Sequence, residues 1–111
     1  MSSKINHYFC ETYRINYYFC LGFPEERFKK YMKSHHEIDL DLSGVTGRTI
    51  FNPKLNTIIL WIRDKADLNT LVHECIHAGT ITLESRGVII SHLNDEALAY
   101  LVESIFRKSR T

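Results

Sequence analysis

A chain of 111 residues, 44% hydrophobic and 24% charged, has the size and make-up of one ordinary globular domain, residues 1–111, with a single modest core. Its formal net charge of +1 gives no electrostatic basis for nucleic acid or an anionic membrane as the main partner. Three cysteines, Cys10, Cys20 and Cys75, form no C-x-x-C pair, which argues against a disulfide framework and against a cysteine-based zinc site.

The N-terminal region lacks the charged start, apolar stretch and cleavage site of a secretory signal, so a cytoplasmic protein is expected. Ile5-Asn6-His7-Tyr8-Phe9-Cys10 and the stretch from Tyr13 to Cys20 are rich in aromatic and β-branched residues, which favours strands. Within them, Ile5–Cys10 and Ile15–Cys20 look like two copies of a short repeat, too few for a repeat architecture. Cys10 and Cys20 read as small core residues in a reducing compartment.

Gly22-Phe23-Pro24 breaks the second strand, and Pro24 followed by Glu25-Glu26 suits the first turn of a helix. That helix is predicted to run to about His35, with Phe28, Tyr31 and Met32 as its apolar side. Its Lys29–Lys33 cluster reads as solvated surface, as does Arg107–Arg110 at the chain's end. Asp39 to Gly47 is polar, carries two glycines and reads as a loop. Arg48–Phe51 and Thr57–Ile62 then flank an Asn/Pro turn, the pattern of a hairpin. Ile58–Ile62 is the longest apolar run and is far too short to span a bilayer.

Asp67 suits the N-cap of a helix from Leu68 to about Glu84. Leu68, Leu71, Val72, Cys75, Ile76, Gly79 and Leu83 keep a helical period on its inward side, while Thr70, His73, His77 and Glu84 fall on another. Ser85-Arg86-Gly87 ends the helix, and Asn94 is the expected cap of a last helix reaching about Arg107. The order β-β-α-β-β-α-α predicts a small α+β domain: a short antiparallel or mixed sheet with three helices packed on it.

The chemistry lies in His73-Glu74-Cys75-Ile76-His77, an H-E-x-x-H pattern inside that helix. Histidines four apart stand one turn apart on one helix face, so both imidazoles can reach one metal ion. The glutamate between them is placed to take a proton from a water activated by the metal. Three fixed letters occur by chance in roughly one chain in a hundred of this length, so context carries the argument. Here the pattern lies mid-helix, and Cys75 and Ile76 are expected to pack inward.

An acidic residue on a separate helix is the expected third ligand. Glu84 shares the histidine face but lies about 10 Å further along the axis. Asp95 and Glu96 open the last helix, and Glu103 lies two turns beyond. Glu96 is favoured over Asp95, because Ala97 and Ala99 beside it would allow a close helix approach. Gly79, costly within a helix, would serve the same contact. Three protein ligands with one open position is the arrangement of catalytic zinc.

With these residues the chain resembles the gluzincin group of zinc metallopeptidases. In that group the two histidines of the motif and a glutamate on the following helix bind zinc, and the motif glutamate is the general base. The resemblance puts one Zn2+ per chain on His73, His77 and Glu96, with Glu74 as base. More narrowly, Leu71–Ala78 together with Asn94–Leu101 looks like the very small metallopeptidase-like proteins carried by bacteriophages and prophages, which implies a zincin-like fold and, for a phage-borne chain, the host cytoplasm. The strand Ile58–Ile62 before the motif helix fits as well, and the likeness covers residues 57–107. Metzincins fit badly: they would need histidine and glycine where this chain has Leu83 and Thr80.

Peptide hydrolysis is therefore the expected activity, with a peptide or protein as substrate. Zinc would lower the pKa of a water toward about 7, Glu74 would accept its proton, and Tyr100 or His92 would donate to the developing oxyanion or support a ligand. The strand Thr57–Ile62 is expected to offer a free edge to an extended peptide. The competing expectation is a catalytically silent zinc-binding protein of the phage type that acts by binding a host protein.

Overall fold

Over residues 4–93 and 95–111, which the computed structural model describes, the elements follow the predicted order. They are β1 (Asn6–Cys10), β2 (Ile15–Leu21), α1 (Glu25–His36), β3 (Gly47–Asn52), β4 (Thr57–Ile62), α2 (Leu68–Ser85) and α3 (Asp95–Ser109). The expected Asn94 cap lies outside the described residues.

The strands make one mixed four-stranded sheet in the order β1-β2-β4-β3. β1 and β2 pair antiparallel, so the two similar segments run past each other, with Asn6 opposite Phe19 and Cys10 opposite Ile15. β3 and β4 form the expected antiparallel hairpin. β2 and β4 are parallel neighbours, Asn16 opposite Thr57 and Leu21 opposite Ile62. Two parallel strands need a long connection, and the segment carrying α1 and β3 supplies it.

This order corrects one expectation. β4 has no free edge: β2 pairs with one side and β3 with the other. Every residue of β4 is buried, the pattern of a strand flanked on both sides and covered on both faces. The free edges belong to β1 and β3.

Each face of the sheet has its own apolar cluster. Tyr17, Phe19, Ile58, Leu60 and Ile62 pack beneath Leu71, Cys75, Ala78 and Leu83 of α2 and Leu101 and Ile105 of α3. On the other face Cys20, Ile59 and Trp61 meet Phe28 and Met32 of α1 and Leu42 of the following loop. Trp61 stacks on Phe28 with ring centroids 5.2 Å apart, and its indole Nε1 donates to the Phe23 carbonyl at 2.8 Å. All three cysteines are free and buried. Burial pushes the Cys20 thiol up to about 12, so it remains protonated core packing.

Both ends of α2 are fixed by side chains and turn geometry. Asp67 Oδ1 accepts the Thr70 backbone N–H at 3.1 Å, the predicted N-cap. In its last turn, Thr82 donates its hydroxyl to the Ala78 carbonyl, so the Tyr17 hydroxyl must be the donor in its 2.6 Å bond to Thr82. This bond ties β2 to α2 inside the core. The helix stops where predicted, with Gly87 at a φ of 76° just beyond it.

Gly79 does bring α3 close. A Cβ there would lie 2.9 Å from Val102 Cγ2 and 3.2 Å from Leu98 Cδ1. Of the two small residues expected to allow this, Ala97 is half-buried against the core and Ala99 is exposed, and the atoms nearest Gly79 belong to Leu98 and Val102. A second correction concerns the inward side of α2: Leu68, Val72 and Ile76 are 42%, 40% and 46% exposed. The sheet takes up Leu71, Cys75, Ala78 and Leu83, so the apolar arc is wider than the arc that is covered. Among the described residues no helix is long and apolar enough to cross a membrane.

Candidate metal centre

α2 projects His73 and His77 from its solvent side, one turn apart. Their rings stand nearly perpendicular, at 82°, with centroids 4.7 Å apart. The two Nε2 atoms face each other at 3.1 Å. Without a metal this is an N–H···N hydrogen bond, one ring donating and the other accepting. Two nitrogens on a tetrahedral zinc ion, each about 2.0–2.1 Å from it, stand about 3.3 Å apart. The histidine pair therefore has the spacing of two zinc ligands.

Glu74 leaves α2 in another direction, toward β3, and is only 5% exposed. Its Oε1 accepts from the Thr49 hydroxyl at 2.7 Å, and the same hydroxyl lies 3.0 Å from the Glu74 carbonyl. Gly47 makes this approach of strand and helix feasible: a Cβ there would come 2.6 Å from Thr70 Cγ2 and 3.1 Å from Glu74 Cγ. Cys75 faces the core, as predicted. Burial, then the charge of Glu74, pushes its thiol up to about 12, and its place in the core keeps it out of the groove.

A groove runs between β3 and α2. One part, about 400 Å³, is lined by Val45, Thr46, Gly47, Asn69, Thr70, His73 and Glu74 among others. The other, about 290 Å³, is lined by Gly47, Arg48, Thr49, His73, Glu74, His77 and Ile81. They share Gly47, His73 and Glu74, and His77 lines the second part alone. The Arg63 N–H bonds the Thr46 carbonyl at 2.9 Å, which sets the alternation along the hairpin. Gly47 and Thr49 consequently direct their backbone N–H and C=O away from β4, into the free edge beside the groove.

The remaining candidates lie elsewhere. Glu96 and Asp95 are exposed in the first turn of α3, and Glu84 is exposed near the end of α2. Among the described residues no group of three or more His, Cys, Asp or Glu is placed to share one metal ion. Tyr100 is 66% exposed on α3, and His92 is exposed in the turn before it. Neither lines the groove. The structure thus brings His73, Glu74 and His77 together along one groove, while Glu96 stands exposed in the first turn of α3.

Two residues of this site carry no motif. Thr49 and Gly47 share a strand face by simple alternation, and a hairpin register combined with a helix over that face would have pointed to them. Comparison of the chain with protein-family models, with curated proteins and with solved structures finds no match in any of the three.

Proposed function

We propose that the chain is a zinc-dependent, gluzincin-like metallopeptidase that hydrolyses a peptide bond in the groove between β3 and α2. The observation that carries this reading is the pair of Nε2 atoms 3.1 Å apart with a buried carboxylate from the residue next to His73. His73 and His77 would hold one zinc ion per chain. Glu96 is the proposed third ligand, supported by its spacing in the sequence and by the packing of α3 against Gly79, two residues past His77. Bound zinc supplies a Lewis acid that polarises a carbonyl and acidifies water.

The protein's own groups do the rest. Glu74 takes the proton of the attacking water and delivers it to the leaving amine. Gly47 and Thr49 pair their outward N–H and C=O groups with an extended substrate backbone, so β3 performs the role expected of β4. His73 and His77 border the same groove, which brings the scissile carbonyl beside them. Free, buried Cys10, Cys20 and Cys75 fit a reducing compartment. The cytoplasm is therefore the proposed location, the host's for a phage-borne chain.

A second reading is a zinc-bearing protein that acts by binding a host protein. It is favoured by the size of the chain, since 111 residues leave little surface for a deep substrate cleft. Metal analysis combined with Glu74→Gln separates the two. One zinc per chain, lost in His73→Ala, and peptide cleavage abolished by Glu74→Gln with zinc retained would establish the peptidase. A biological activity that survives Glu74→Gln would establish the binding protein, and a purified chain without zinc at neutral pH would remove both.

A further inference from the structure

We propose that Thr49 is the positioning residue of Glu74, fixing the carboxylate in the groove from the same strand edge that receives the substrate. The inference rests on the reading of Glu74 as the base.

A buried carboxylate needs hydrogen-bond donors, because desolvation without them is costly. Glu74 has such a donor in Thr49 Oγ1, 2.7 Å from its Oε1. The hydroxyl has one hydrogen and two acceptors in reach, the carboxylate oxygen and the Glu74 carbonyl at 3.0 Å. The carboxylate is the nearer and the charged one, and hydrogen bonds to ionised acceptors are roughly twice as strong as neutral ones. The proton therefore goes to Oε1.

Thr49 is suited to hold that geometry. It is β-branched, so its χ1 is stiff, and it sits within a strand whose partner β4 is wholly buried. Gly47, on the same strand face, lets β3 lie against Glu74 without an intervening side chain. The backbone of Thr49 meanwhile faces outward at the free edge of the sheet. One residue thus grips the base with its side chain and offers its main chain to the substrate. The separation between proton acceptor and scissile bond is then set through the covalent frame of Thr49, and small errors in that separation are expensive in rate.

A role limited to joining β3 to α2 would be visible in stability and not in turnover. The test uses Thr49→Val, which keeps the shape and removes the hydroxyl, Thr49→Ser, which keeps the hydroxyl, and Thr49→Ala as a second hydroxyl-free variant should the valine chain fold poorly. In the zinc-loaded protein, Thr49→Val should lower kcat about 10–100-fold with KM changed less than about twofold, and Thr49→Ser should stay within about threefold of the parent. Crystal structures should place the Glu74 carboxylate against residue 49 in the parent and in Thr49→Ser, and displaced in the hydroxyl-free variants. An unmoved carboxylate in those variants, or a parental kcat, overturns the proposal. A parent protein that cleaves no peptide overturns the reading of Glu74 as base instead, and the position of its carboxylate in the variants still decides whether Thr49 positions it.

Discussion

Gly47 and Glu74 meet across the β3–α2 interface so closely that a methyl group at position 47 would lie 3.1 Å from Glu74 Cγ. The same methyl would lie 2.6 Å from Thr70 Cγ2 and 3.0 Å from the Trp61 carbonyl. The Thr70 hydroxyl is held by Asp67 Oδ2 and Thr46, and the Trp61 carbonyl belongs to an interior strand, so neither yields freely. Gly47→Ala should therefore push β3 and α2 apart, costing about 1–3 kcal/mol of stability. Urea unfolding measures that cost. Peptidase activity should fall by more than the stability loss explains, because the displaced partner is Glu74; an alanine variant with parental stability and activity would show that the interface has slack.

Zinc should stabilise the fold through the histidine pair. A ligand at about 100 times its Kd adds about 2.7 kcal/mol, which for a domain of this size is roughly 10 °C in Tm. His77→Ala should abolish the shift. Glu96→Ala should weaken zinc binding by more than the roughly 10–100-fold typical of a residue that only supports a ligand, while Asp95→Ala should leave it nearly unchanged. Calorimetric titration decides between the two acids, and equal losses would dismiss the preference for Glu96.

How far the sequence revealed this site follows from which of its contacts are local. His73 and His77 are one helical turn apart, so their pairing is written in the spacing, and α2 was bounded to within a residue of Leu68–Ser85 by Asp67 and Gly87. Gly79 advertised a close helix contact by its cost. Thr49 and Glu74 are 25 residues apart, and their bond depends on how β3 registers against β4 and where α2 then lies. No short-range pattern encodes that. The placing of β4 at the centre of the sheet depends likewise on a parallel pairing with β2 across the whole of α1. The exposure of Ile76 has a simpler cause: periodicity reports the apolar arc of a helix, not how much of it the neighbours cover.

His36 gives the fold a pH dependence remote from the groove. Lys54 N–H donates to Asn52 Oδ1 at 3.2 Å, which turns the Asn52 amide nitrogen toward His36 Nδ1, 2.9 Å away. Nδ1 must then accept, so the neutral ring is the one that fits. Burial, and next the neighbouring His35, hold the His36 pKa below its ordinary 6.5. The unfolded chain binds the proton more readily than the folded one, so this contribution is fully present above 6.5 and is lost as pH falls through the lowered folded value. Glu37 and Lys54, of opposite charge, line the same cleft as His35 and His36. A proton NMR titration should find the His36 midpoint below 6.5, and a midpoint at or above that value would refute the assignment.

Arg86 is the expected weak point of the sheet's turn end. Its Nε donates to the Tyr13 carbonyl at 2.7 Å, and one terminal nitrogen donates to the Arg14 carbonyl at 2.9 Å and to Asn56 Oδ1 at 2.7 Å. Asn56 also donates to the Arg14 carbonyl, so the β1–β2 and β3–β4 turns and the end of α2 share one network. Arg14 and Asn56 both hold positive φ, 54° and 52°, conformations that non-glycine residues adopt at a cost. Arg86→Ala should lower stability by about 1–2 kcal/mol, discounted for the exposure of the guanidinium, and Arg86→Lys should recover little, since an ammonium cannot span three acceptors in the plane of the fork. Zinc affinity should be unaffected, because Arg86 lies about 13 Å along the helix axis from His77. Urea unfolding of both variants measures the loss, and full recovery by lysine would mean that charge rather than the planar fork holds the turns together.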